Sequence, residues 1–274
     1  MSNQTVAAAS FELVLSDKLK VKGRVRTLED GRAKPVVVLA HGFRGFQDWG
    51  FWPEVAERFA ALGYYAITFD YSRITAWEEG IDEATVADAS TVSQDQLDLS
   101  ALLSALHEGK LPYREEADAN KTALLGHSRS GGSSIIYAHE HPEHVAAVIV
   151  WNGGASPVSD LSDPDLTPVQ RAVALDQQAN SERYQIARHV EALQQQLLIV
   201  QGDQDSARLL EFVGRLQETS PQHTYVSVPG GNHTFGVSHP YEGATPELDA
   251  AFEATAAFLA QQFQVSSESE ARGA

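Results

Sequence analysis

Apolar and polar positions alternate along the chain in the order typical of an α/β fold. Two early stretches, 11–15 and 19–26, alternate in the manner of half-exposed antiparallel strands joined by a short turn. The run at 34–42 is continuous and β-branched, as expected for a strand covered on both faces of a parallel sheet. Five more predicted strands follow, at 64–71, 121–127, 144–151, 196–203 and 223–230.

Helical periodicity fills the intervals between these strands. Residues 92–109 carry leucines on one helical face, and Pro53 and Gly63 suit the first turn and the cap of a helix over 52–63. Other helices are predicted near 129–139 and 207–218 and at the C-terminal end, where Leu248, Phe252, Leu259 and Phe263 share a face. The pattern predicts a doubly wound, mostly parallel eight-stranded sheet with antiparallel N-terminal strands.

Two segments interrupt this rhythm, 72–91 and 152–190, where Pro, Asp, Ser and Gly are mixed with helix-compatible stretches. The second leaves the edge of the sheet at which ligands of such folds bind, so we predict a small lid over 152–190. We expect a single domain over 10–264 and a disordered tail over 265–274.

The net charge of −17 argues against two classes of partner. Nucleic acids and anionic membranes are bound by clustered Lys and Arg, and the sequence contains no such cluster. The absence of cysteine excludes disulfides and thiolate chemistry. The N-terminal residues lack the basic and apolar regions of a signal peptide, so we expect a cytoplasmic protein that does not enter a membrane.

Chemistry-bearing residues follow four of the predicted strands. The carboxyl ends of parallel strands meet at one crevice, so side chains placed there are candidates for catalysis. The four segments are "HGFRG" (41–45), "GHSRSGG" (126–132), "GDQDSAR" (202–208) and "GGNHTFG" (230–236).

Ser128 lies between a predicted strand and a predicted helix, where a sharp turn can lift a hydroxyl clear of the backbone. Such a turn needs small residues two positions before and after the serine. Gly126 meets the first requirement, and Ser130 stands where glycine is usual. Ser130 is the alternative nucleophile, but that register moves the nucleophile two residues into the helix, so we favour Ser128.

A serine hydroxyl needs a base, and the base needs an orienting carboxylate. Asp205 and His233 follow the seventh and eighth predicted strands, which gives the chain order Ser, Asp, His. Asp203 is the competing acid; it lies on the strand end itself, and we interpret it as a turn-stabilising residue.

Acyl transfer also needs donors for the developing oxyanion, and backbone N–H groups serve because they are fixed in advance. We expect one from Arg129, at the start of the helix after Ser128. The other is expected from Phe43, which follows His-Gly in the turn after the third strand.

With these four motifs in order, the chain resembles the α/β-hydrolases, and among them bacterial esterases and dienelactone-hydrolase-like or peptidase-like members. The resemblance covers about residues 10 to 264 and includes "HGFxG", "GHSRxGG", "GDxD" and "HTF". It implies Ser128 as nucleophile, His233 as base, Asp205 as acid, and the amides of Phe43 and Arg129 as oxyanion donors. Ser130 departs from the usual glycine and puts the geometry of the turn in question.

Two other features have simpler explanations. "HEHPEH" (139–144) contains three histidines and two glutamates, but it matches neither H-E-x-x-H nor H-x-x-E-H and Pro142 interrupts the helix, so no metal site is predicted. Arg44 and Arg73 have the chemistry to bind a substrate carboxylate, and we interpret them as ordinary surface arginines.

The sequence thus predicts a cofactor-independent serine hydrolase that cleaves a small-molecule carboxylic ester through an acyl-enzyme. Amide or peptide hydrolysis, or acyl transfer, uses the same three side chains and stays open, as does a non-catalytic ligand-binding role. Nothing in the sequence indicates the oligomeric state.

Overall fold

The structure, a computed structural model, describes residues 5–155 and 161–264. The predicted tail over 265–274 and the part of the predicted lid at 156–160 lie outside these described residues.

A mixed sheet forms the centre of the protein, and all eight predicted strands are present in it. The spatial order is β1-β2-β4-β3-β5-β6-β7-β8. Strand β2 pairs antiparallel with both of its neighbours, β1 and β4, and strands β3 to β8 are parallel to one another. The strands are β1 (Val6–Val14), β2 (Lys20–Leu28), β3 (Lys34–Ala40), β4 (Tyr65–Asp70), β5 (Ala117–His127), β6 (Ala147–Trp151), β7 (Gln196–Gly202) and β8 (Thr224–Val228).

Helices cover both faces of the sheet. In chain order they are α1 (Trp52–Ala61), α2 (Ser72–Glu78), α3 (Glu83–Ala89), α4 (Val92–His107), α5 (Arg129–Glu140), α6 (Pro168–Ala179), α7 (Ile186–Ala192), α8 (Ala207–Thr219) and α9 (Pro246–Phe263). Over the described residues, no helix has both the length and the apolarity needed to cross a bilayer.

The two segments that interrupt the sequence rhythm contain four of these helices, α2 and α3 in one and α6 and α7 in the other. Side-chain caps begin two of them: Asp82 accepts from Thr85 N at 3.0 Å, and Thr167 forms a capping box with Gln170. Apart from α6, these helices are seven residues long, so packing against the rest of the fold must stabilise them.

Two apolar layers, one on each face of the sheet, form the core. The leucines of α4 at 99, 102, 103 and 106 pack on one face, and Phe59 of α1 and Leu259 of α9 belong to the other. Successive residues of β3 alternate between these layers, with Val36 and Val38 in the first and Val37 and Leu39 in the second. The continuous apolar runs thus belong to strands buried on both faces, and the carboxyl ends of those strands form one rim.

Candidate active site

Ser128 lies in the sharp turn between β5 and α5, with φ 57° and ψ −125°. A non-glycine residue at positive φ costs on the order of 1–3 kcal/mol, so the surroundings must hold it there. Glycines pack around the turn. A Cβ at Gly126 would lie 2.2 Å from the Ser130 carbonyl oxygen, and one at Gly153 would lie 2.1 Å from the Ser128 carbonyl oxygen. Both positions therefore require glycine for the turn to form as it does.

Ser130 occupies the position where glycine is usual in such turns. Its side chain is fully buried, and its hydroxyl donates to the His41 carbonyl oxygen at 2.5 Å. The extra hydroxymethyl group thus joins the start of α5 to the loop after β3. The serine hydroxyl that His233 contacts is that of Ser128.

Three predicted side chains meet at the carboxyl-end rim. His233 Nε2 lies 2.9 Å from Ser128 Oγ, and His233 Nδ1 lies 2.9 Å from Asp205 Oδ2. In the tautomer that satisfies both contacts, the serine hydroxyl donates to Nε2 and Nδ1–H donates to the carboxylate. The His233 side chain is 43% exposed and that of Asp205 is 5% exposed, so the carboxylate is shielded while the imidazole is open to solvent.

Asp205 is held as an anion. Burial by itself would raise the pKa of its carboxyl, but hydrogen bonds from His233, the Ser206 N–H and Gln201 outweigh burial and lower that pKa. The competing acid, Asp203, is engaged elsewhere, because its Oδ1 accepts from Gly230 N at 2.8 Å. The structure therefore puts Asp205, and not Asp203, beside His233.

Two residues that the sequence reasoning missed fix the loop of His233. The His233 carbonyl oxygen accepts from His127 Nε2 at 2.8 Å and from Asn152 Nδ2 at 3.1 Å. Burial, followed by the charge of His233, lowers the pKa of His127 to about 4, which keeps this ring neutral near pH 7. Their signal was their position, since His127 and Asn152 end β5 and follow β6 at the same rim.

The predicted oxyanion donors are at the start of α5 and in the turn after β3. Arg129 is the first residue of α5, so its N–H has no partner within the helix. Phe43 lies in a tight turn closed by Gly45 N donating to the Gly42 carbonyl oxygen at 3.0 Å. Both residues line the same pocket as Ser128.

That pocket has a volume of about 390 Å³. Helix α6, from the segment predicted as a lid, contributes one side of it. The lining residues are Phe43, Arg44, Ser128, Arg129, Asn152, Gly153, Ala155, Val169, Gln170, Val173, Ser206, Arg208 and Leu209. Most of this wall is apolar or neutral, and the described residues of the lining include no carboxylate.

Arg44 is exposed, as the interpretation of it as a surface arginine requires. The same interpretation was wrong for Arg73. Arg73 is 3% exposed and pairs with Asp95 of α4 at 2.7 Å. The signal for this pair was present in the helical pattern: Asp95 stands one turn before Leu99 and therefore lies on the buried face of α4.

The "HEHPEH" segment lies at the opposite end of α5 from Ser128, about 18 Å away at 1.5 Å per helical residue. His141, Glu143 and His144 have potential ligand atoms within 4.8 Å of one another. His144 Nδ1 also contacts the Tyr137 hydroxyl at 2.8 Å. This group takes no part in the candidate active site.

Known structures share the fold over nearly the whole chain. Est1E from Butyrivibrio proteoclasticus is 17% identical with a TM-score of 0.69, and the alignment covers 93% of this chain and 99% of that one. A dienelactone hydrolase from Anabaena variabilis is 19% identical with a TM-score of 0.66, covering 93% of this chain and 98% of that one. No curated protein matches this sequence.

These similarities establish the α/β-hydrolase fold, which agrees with the fold predicted from the sequence. Residues 16–255 match the family described as "Putative esterase". Since this match covers most of the chain, the protein belongs to that esterase family.

Proposed function

We propose that the protein is a serine carboxylesterase that hydrolyses esters of small to moderate size through an acyl-enzyme intermediate. The observation that carries the proposal is the continuous hydrogen-bonded chain from Ser128 through His233 to Asp205, with 2.9 Å at each step. It gives a weak nucleophile the adjacent base, and the base its orienting carboxylate.

In the proposed reaction, Ser128 Oγ attacks the ester carbonyl while His233 Nε2 takes the hydroxyl proton. The tetrahedral oxyanion accepts hydrogen bonds from the N–H groups of Phe43 and Arg129. The C–O bond then breaks, and His233 returns the proton to the leaving alkoxide. Water, deprotonated by the same nitrogen, attacks the acyl-serine; the bond from the acyl carbon to Ser128 Oγ breaks, His233 returns the proton to Oγ, and the carboxylic acid leaves.

Asp205 holds the imidazole in the tautomer that accepts from Ser128, and its negative charge stabilises the imidazolium that forms at each transfer. The low pKa of Asp205 keeps the carboxylate charged at neutral pH. The mechanism uses only side chains, backbone and water, and it requires no cofactor or metal.

The pocket supports an acyl or alcohol group of modest size. Val169 and Val173 of α6 and Leu209 of α8 give it apolar surface beside Ser128. A second Est1E structure, 18% identical with a TM-score of 0.70 and covering 93% of this chain and 99% of that one, has ferulic acid bound. Aromatic acyl esters of that size therefore belong in the substrate panel.

The proposal is tested with nitrophenyl esters of increasing chain length, methyl ferulate and aminoacyl amides. The wild-type protein is expected to hydrolyse esters, and Ser128→Ala to lose about 10⁶ in kcat while keeping its fold. Ser134→Ala is the matched control, because Ser134 lies fully buried on α5 with no hydrogen-bonding partner for its hydroxyl among the described residues. Ester turnover by Ser128→Ala equal to that of the wild type would refute the proposal.

A further inference from the structure

A buried carboxylate lies between two buried guanidinium groups beside the proposed oxyanion site. Asp95, in the first turn of α4, is fully buried. Its Oδ1 lies 2.7 Å from Arg73 Nη1, and its Oδ2 lies 2.8 Å from Arg129 Nη2. Ser133 Oγ donates to the same carboxylate at 3.2 Å. We name Asp95, Arg73 and Arg129 the Asp95 cluster.

The Asp95 cluster holds one more positive than negative charge. A net charge is costly to bury, so the net positive charge of the cluster should act on the titratable groups beside it. In the neighbouring loop, burial is the main cause that lowers the pKa of His41 to about 3, and the charge of Arg73 adds to it. His41 immediately precedes the Gly42–Phe43 turn.

Both arginines contact that turn directly. Arg129 Cζ lies 4.2 Å and Arg73 Cζ 5.3 Å from the centre of the Phe43 ring, within the range of cation–π contacts. Arg73 Nη2 also donates to the Gly42 carbonyl oxygen at 3.4 Å. The Phe43 side chain is therefore held by the same two groups that share Asp95.

We propose that Asp95 is a positioning residue that sets Arg73 and Arg129 against the Gly42–Phe43 turn, so that the Phe43 N–H points at the reacting carbonyl. The excess positive charge of the cluster then lies behind the developing oxyanion. This inference rests on the proposed function, because it concerns a transition state formed on Ser128.

The effect follows from how strongly such donors depend on position. Losing one oxyanion donor typically costs about 10²–10³ in turnover, and a misplacement of about 1 Å can cost about 10². Without the charge of Asp95, the two guanidiniums repel each other and the turn loses its support. Substrate binding is expected to change less than turnover, because Phe43 and Arg129 are only part of the pocket lining and α6 and α8 supply other walls.

The main test compares Asp95→Asn with Glu116→Gln by steady-state hydrolysis of a nitrophenyl ester. Glu116 is the matched control, since it is also a buried carboxylate hydrogen-bonded to a buried cation, Lys34, but lies at the other end of the sheet. Asp95→Asn is expected to lower kcat about 10- to 100-fold with KM changed less than about threefold. Glu116→Gln is expected to leave both constants within about twofold of the wild type at temperatures where it is folded.

A second pair of variants decides the question if Asp95→Asn does not fold. Phe43→Leu keeps the backbone N–H but removes the ring that the two arginines hold, and it is expected to lower kcat about tenfold. Phe43→Tyr keeps the ring and is expected to keep most of the wild-type kcat. A role confined to packing would instead raise KM or lower stability without this dependence on the ring.

The wild type and Ser128→Ala, assayed beside these variants, separate the two claims. If the wild type does not turn over esters, the proposed function fails. If it does, and a folded Asp95→Asn keeps its kcat within about twofold, the role of Asp95 is overturned. Should Asp95→Asn be unfolded, equal kcat values for Phe43→Leu and Phe43→Tyr overturn it.

Discussion

Two buried ion clusters lie at opposite ends of the same sheet. At the carboxyl end, Asp95 shares two arginines. At the amino end, Lys34 of β3 lies 2.6 Å from Asp30 and 2.5 Å from Glu116, which immediately precedes β5. The Glu116 carboxylate also accepts from Gly31 N at 2.7 Å. The first cluster has an excess of positive charge, whereas in the second Arg32, which pairs with Asp30 at 2.7 Å, and Lys34 balance the two carboxylates.

The difference lies in what each cluster touches. The amino-end cluster joins the loop between β2 and β3 to the start of β5, and its described contacts include none of the candidate site residues. The Asp95 cluster contacts the Phe43 ring and the Gly42 carbonyl oxygen, next to Ser128. A buried ion cluster should therefore contribute to stability at the amino end of the sheet and to the rate of reaction at the carboxyl end.

The largest effect is expected at the carboxyl-end rim. Asp205→Asn should lower kcat by about 10⁴, about 5.5 kcal/mol in transition-state stabilisation, because the amide favours the wrong imidazole tautomer. Asp203→Asn, two residues away, is the control and should lose only a few-fold. Rates of ester hydrolysis measure both. Equal losses in the two variants would show that Asp205 is not the orienting acid.

At the amino end, Lys34→Met should act on stability instead. It leaves the Glu116 carboxylate buried without its cation while Asp30 keeps Arg32, and breaking such a buried pair costs about 3–5 kcal/mol in the free energy of unfolding. Urea unfolding measures the loss, and kcat below the transition should equal that of the wild type. A large fall in kcat with little change in unfolding would reverse the roles assigned to the two ends.

Asp98, one turn after Asp95 on α4, allows a further comparison, because it is buried and its hydrogen-bond partners among the described residues are Ser72 N and Gln94 Nε2, neither of them a cation. Burial raises the pKa of its carboxyl to about 6, so the folded state resists ionisation. Wild-type stability should therefore fall as pH rises from about 4 to about 6, by about 3 kcal/mol for this group.

Asp98→Asn removes this dependence. Its gain in unfolding free energy over the wild type should be near zero at about pH 4 and should reach about 3 kcal/mol above about pH 6. Urea unfolding across that range measures the difference. A gain that is the same at every pH would show that Asp98 does not titrate in this way.

The smallest effect is expected at the start of α6. Thr167→Ala removes the capping box of this helix and should cost about 1 kcal/mol. Because α6 lines the pocket, KM should rise about twofold with kcat retained. Thr245→Ala, which uncaps α9, should lose similar stability without the change in KM. Identical KM values in the two variants would show that α6 does not contribute to substrate binding.

Strong local patterns explain why much of the fold was predictable. The continuous apolar run of β3 and the leucine face of α4 each have a period that identifies one element. Helices α2 and α3 were not predicted as elements, because seven-residue helices carry too few periodic positions to stand out from a loop.

The residues of the candidate site also differ in how far the sequence predicts them. Ser128, Asp205 and His233 could be named in advance because strand ends converge on one rim. The contacts of Arg73 and Asn152 could not, because they depend on side chains from distant segments that meet only in the folded chain. Asp95 lies between these cases, since its place on the apolar face of α4 marked it as buried but did not reveal its partners.

If Ser128 is an activated nucleophile, it reacts with a fluorophosphonate, and peptide mass spectrometry of the treated protein identifies the modified residue. This role for Ser128 requires a single covalent adduct on Ser128, absent from Ser128→Ala and present in Ser134→Ala. A folded wild-type protein that forms no adduct, or one modified at another serine, would contradict it.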